Sequence, residues 1–102
     1  MTKDELAKAF VARKPGKCHN ASTGGDVYTL HQSPIAVHAQ GAVVFYWHGF
    51  YTPTTASHMN AILKALGASF RVSFAQARDS GATTFDWWGV VPFDSKKLEQ
   101  QA

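Results

Sequence analysis

The chain has 102 residues, 45% apolar and 17% charged, with a formal net charge of +3 and one cysteine. That length allows one domain with one modest core, and the apolar fraction excludes a disordered chain. The mild positive charge excludes the strongly acidic surface of a DNA mimic, and a lone cysteine excludes an intrachain disulfide.

Met1–Leu6 carries no apolar signal-peptide core, and no apolar run approaches the ~18 residues of a membrane span. With Cys18 the only cysteine, a reducing cytosol is the expected compartment. Residues 3–13 read as a short helix with Leu6, Ala9, Phe10 and Arg13 on one face and Thr2 as cap. Lys14-Pro15-Gly16-Lys17 ends it as a basic linker, and the small polar residues 18–26 read as a surface loop.

Val27–His31 and Ile35–Ala39 are strand candidates joined through Gln32-Ser33-Pro34, with Gln40-Gly41 as the next turn. Ala42–Tyr51 is the strongest strand pattern, with Val43, Phe45 and Trp47 facing one way and Val44, Tyr46 and His48 the other. A long helix over Thr54–Gly67 follows. Thr54 or Thr55 caps it, Met59, Ile62, Leu63 and Leu66 make one apolar face, and Gly67 closes it. Ser69–Ala75 alternates Phe70, Val72 and Phe74 with smaller or polar residues, the period of a half-buried strand. Arg78–Gly81 reads as a turn, Thr83–Val91 as the last strand, and residues 94–102 as a charged tail that frays. The fold class is therefore α+β. A mainly antiparallel sheet of about five strands carries one long helix and a short N-terminal helix, with the core over residues 27–91.

His31, His38, His48 and His58 bear imidazoles suited to zinc, but no His-x-His or His-x-x-x-His pair occurs, so no metal is expected. Cys18-His19 and Ser57-His58 are sequence neighbours without an orienting third group. Asp86 stands in a strand pattern with no partner for acid–base work, and Gly24-Gly25 is too short for a phosphate cradle. The expectation is a non-enzymatic protein without a cofactor.

The aromatic and basic residues give the candidate binding surface. Either Phe85 and Trp87 or Trp88 and Val90 face the core; if Phe45, Trp47, Phe70, Phe85 and Trp87 do, alternation puts Tyr46, Arg71 and Trp88 on the opposite sheet face, with Arg78 nearby. Such a surface suits stacking on nucleotides or anchoring a protein interface. The competing arrangement has the N-terminal helix covering that face through Leu6 and Phe10, which moves the working surface to Lys64, Arg78 and the basic N-terminus.

Over residues 14–67 the chain resembles a group of small phage-encoded proteins. The matching positions are Asn20, Gly25-Asp26, Ile35-Ala36, Thr54-Thr55 and Asn60-Ala61-Ile62-Leu63, with Met59 where that group usually has Leu. The resemblance implies a phage or prophage accessory protein, similar in size and character to anti-CRISPR and other anti-defence proteins. It implies a protein that binds and blocks a host-defence nucleoprotein such as a CRISPR effector. Direct nucleic-acid binding through basic and aromatic residues is the alternative.

Overall fold

The computed structural model describes residues 1–87. Its first helix, α1 (Lys3–Val11), begins where Thr2 accepts a hydrogen bond from the Glu5 amide (3.1 Å) while the Glu5 carboxylate accepts from the Thr2 amide (2.9 Å). This reciprocal pair satisfies two donors that a helix start leaves free, and it holds the Glu5 carboxyl below its ordinary pKa. Leu6, Ala7 and Phe10 are its buried face.

Five strands follow: β1 (Gly16–Cys18), β2 (Ala21–Thr23), β3 (Val27–Leu30), β4 (Ser33–Ala39) and β5 (Ala42–Tyr46). The long helix α2 (Pro53–Leu66), a short helix α3 (Phe74–Ser80) and β6 (Thr84–Trp87) complete the described chain. The six strands form an antiparallel sheet in simple sequence order, β1-β2-β3-β4-β5-β6. Two of its hairpins turn on residue pairs with positive φ, His31-Gln32 (50° and 67°) and Gln40-Gly41 (51° and 84°). Paired positive φ gives a two-residue turn whose twist matches the strands it joins. β5 stops at Tyr46, short of the expected Tyr51, and His48 and Gly49 beyond it take positive φ.

Residues 18–26, expected as a loop, instead hold the last residue of β1 and all of β2. Both strands are three residues long and built of small side chains, so neither carries a run of strand-forming residues. The larger departure is Ser69–Ala75, which is not a strand. Its backbone is held by a side chain: Asn60 on α2 accepts from the Val72 amide (2.7 Å) and donates to the Val72 carbonyl (3.1 Å). Ser73 then caps α3 by accepting from the Gln76 amide, and Gly81 (φ 71°) closes it, so the expected turn at Arg78–Gly81 is the end of a helix. The cap of α2 is Thr52 rather than Thr54 or Thr55. Pro53 occupies the first helical position, where its missing N–H is no loss.

Leu6, Phe10, Tyr28, Ile35, Val43, Phe45, Trp47, Met59, Ile62 and Leu63 are fully buried in one cluster. Because α1, α2 and α3 all contribute to that cluster, the three helices share one face of the sheet, with α1 packed along α2. The expected alternative, in which the N-terminal helix covers the other face, is overturned. That outer face carries Ser22, Thr29, Val37, Val44, Tyr46 and Asp86, as the cross-strand pairs Ser22–Thr29, Val37–Val44 and Val44–Asp86 require. Phe70, expected in the core, is 40% exposed. Residues 88–91 of the expected last strand and the tail 94–102 lie outside the described residues.

Candidate functional site

The face of α2 beside its apolar stripe carries Ser57, Asn60 and Lys64, three and four residues apart and therefore in line. Asn60 fixes Val72, which brings the preceding Arg71 alongside Lys64. The result is a cleft of about 590 Å³, lined among others by Lys3, Ser57, Asn60, Lys64, Arg71 and Phe74. Lys3 comes from the start of α1 and donates to the Ser57 hydroxyl across the helix pair. The Nη1 group of Arg71 donates to the carbonyls of Ala68 (3.0 Å) and Phe70 (2.7 Å). A guanidinium has five N–H groups in a rigid plane, so anchoring Nη1 orients Nε and Nη2 without consuming them. Both Lys64 and Arg71 are exposed.

The sequence-expected surface is thus divided. Lys64 and Arg71 meet at the cleft. Tyr46 lies half-buried on the opposite sheet face, paired with Thr84 across the ladder and stacked on His48 with ring centroids 5.8 Å apart. Arg71 does not join it there, because the strand that was to carry Arg71 does not form. Arg78 stands exposed on α3 beside Asp79, at 3.4 Å. Trp88 lies outside the described residues. Sequence reasoning took Phe70 for core and missed it as surface. Its ring leans edge-on against Trp87 and Phe85, with centroids 5.5 and 6.4 Å away.

The histidines hold the fold together at separate places. His38 donates to the Phe10 carbonyl (2.7 Å) and stacks on the Phe10 ring at 4.3 Å. His48 donates to the Pro34 carbonyl across the strand end. His58 Nδ1 meets the Tyr28 hydroxyl at 2.6 Å. Burial pushes the Tyr28 phenol well above its ordinary pKa, with nearby Cys18 adding to the rise. Burial likewise pushes His58 down, helped by Lys3 and His31. Both shifts favour the neutral forms of the pair. His31 is exposed on the β3–β4 turn. Cys18 points inward from β1 while His19 is exposed on the turn after it, so the neighbouring thiol and imidazole diverge.

Chemically, the cleft offers three cations, the Asp4 carboxylate, an amide already committed to the backbone, and a hydroxyl already accepting from Lys3. Such an arrangement attracts and orients anions. Comparison of the chain with protein-family models, with curated proteins and with solved structures finds no match in any of the three.

Proposed function

We propose that this chain is a non-enzymatic phage accessory protein that binds and blocks a host-defence nucleoprotein, a CRISPR effector foremost. One observation carries the reading: Lys64 and Arg71 are exposed together on one cleft, held there by the Asn60–Val72 clamp, while His38, His48 and His58 serve the fold. The first arrangement suits a preformed binding surface, and the second leaves those imidazoles engaged in packing. A blocker of this kind acts by occupancy, so its effect saturates near one chain per target.

Purified CRISPR effector–guide complexes of several types, titrated with the chain, test this directly. Target binding should fall to background at about one equivalent, and the variants Lys64→Ala and Arg71→Ala should need at least tenfold more protein, as central charged anchors do. If no complex in the panel is inhibited and none is captured from the lysate of a defended host, the reading fails.

A further inference from the structure

A second, smaller concavity of about 240 Å³ lies against the cleft and shares Asp4, Ala61 and Lys64 with it. Together the two make one groove along the seam between α1 and α2. Lys3, Lys8, Lys64 and Arg71 line it, against the single carboxylate of Asp4. We propose that this groove holds the sugar–phosphate backbone of a single nucleic-acid strand, the nucleic-acid part of the nucleoprotein proposed above, on which the assignment rests.

Three features select this occupant. Lys8 follows Lys3 by about 7.5 Å along the α1 axis, at 1.5 Å per residue, and Arg71 lines the cleft together with Lys3 and Lys64. A row of cations suits a chain of anions rather than one isolated charge. The floor is built partly of Ala56, Ala61 and Ala65, whose small side chains let a backbone approach closely. Next to Arg71 in the chain and just outside the groove lining, Phe70 anchors the guanidinium through its carbonyl and is 40% exposed, a surface on which an unstacked base can lie. An aromatic beside a cationic track is the composition that single strands use, whereas a duplex offers no free base face.

Fluorescence anisotropy with labelled oligo-dT and oligo-U of about 12 nucleotides tests the groove, a length within the usual site sizes. Both strands should bind at about 50 mM salt. A slope near −0.7 per neutralised phosphate, over four contacts, predicts about a fiftyfold loss at about 200 mM. Lys64→Glu and Arg71→Glu should each weaken binding at least tenfold at the lower salt with an unchanged urea midpoint, and Phe70→Ala should weaken it severalfold. Lys17→Glu, exposed on β1 away from the groove, should stay within twofold of wild type. Equal affinity for the two strands assigns recognition to the backbone, and a preference for oligo-U adds a contact to the 2′-hydroxyl. The proposal is overturned by absence of binding at low salt, by indifference to both charge reversals, or by a polyglutamate peptide binding as tightly as the strands. Capture of the intact nucleoprotein without binding of free strands removes the groove assignment and leaves the blocking function standing. Strand binding without capture does the reverse.

Discussion

Replacing Asn60 with alanine tests the link between the long helix and the segment that carries Arg71. The Asn60 amide makes two hydrogen bonds to the Val72 backbone, at 2.7 and 3.1 Å, both partly buried. Each contributes about 1 kcal/mol net, and the abandoned Val72 N–H and C=O add part of a desolvation penalty because water reaches a half-buried site only in part. The expected loss is about 2–3 kcal/mol. For a domain of this size that lowers Tm by roughly 10–20 °C. Urea denaturation followed through the buried Trp47 measures it, with an unchanged slope expected because the surface exposed on unfolding is the same. Hydrogen exchange of the Val72 amide should accelerate to the rate of an unprotected loop. Asn60→Asp separates the two bonds: the carboxylate still accepts from the Val72 N–H but opposes the Val72 carbonyl, so part of the loss should remain. A change below about 0.5 kcal/mol with Val72 still protected would refute the clamp, and with it the reason given for the absent strand at 69–75.

Leu63→Ala should cost about 2–5 kcal/mol in chemical denaturation, as a fully buried leucine at the centre of the α2 stripe. Gly25→Ala should cost about 2–4 kcal/mol. Gly25 has φ 114°, and an added Cβ meets the Arg13 carbonyl oxygen at 2.8 Å, so backbone strain and overpacking add. Acid should weaken the fold through His58. Its folded pKa is lowered, so above about pH 6.5 both states are neutral and the group has no effect. As pH falls below that value the unfolded imidazole protonates first, and stability drops until the folded one titrates in turn. Comparing the urea midpoints of wild type and His58→Gln between about pH 8 and pH 5 isolates the effect, and parallel curves would remove His58 as its source.

Local pattern was a good guide wherever one residue type had one reason to be in place. The α2 stripe, the inward Val43, Phe45 and Trp47, and the Gln40-Gly41 turn are each fixed by a period or by a backbone angle that neighbours do not alter. At 69–75 the period was real but its cause was different. Val72 and Phe74 still pack half-buried against the core, and Phe70 still leans on Phe85 and Trp87, so the alternating apolar residues find apolar contacts without a ladder. What decided the backbone was the amide of Asn60, twelve residues before Val72, together with Ser73, whose hydroxyl accepts from the Gln76 amide to start a helix. β1 and β2 failed to announce themselves for the opposite reason. Gly16, Cys18, Ala21, Ser22 and Thr23 give no local push toward a strand, and pairing with β3 and packing against α1 supply it instead.

The site divides along the same line. Lys64 was legible because helical spacing alone sends it away from Met59, Ile62 and Leu63, whatever the rest of the chain does. Arg71 was expected on the sheet face with Tyr46 and lies at the cleft with Lys64 instead, since its expected direction depended on a strand that does not form. Lys3 and Lys8 were legible only as a basic N-terminus. Their role as one wall of a groove exists because α1 lies along α2, and that follows from Leu6, Ala7 and Phe10 joining the α2 core rather than from the charges themselves. The surface is therefore set by apolar residues that never touch it. Leu6→Ala should consequently weaken strand binding as well as the fold, because it loosens the helix that carries two of the four groove cations. Thr2→Ala, which removes only the cap at about 1 kcal/mol, should leave α1 docked and binding within twofold. Measuring both variants at a temperature where each is more than nine-tenths folded separates docking from charge. Unchanged affinity in Leu6→Ala under those conditions would mean that Lys3 and Lys8 are bystanders, and that Lys64 and Arg71 hold the anion alone.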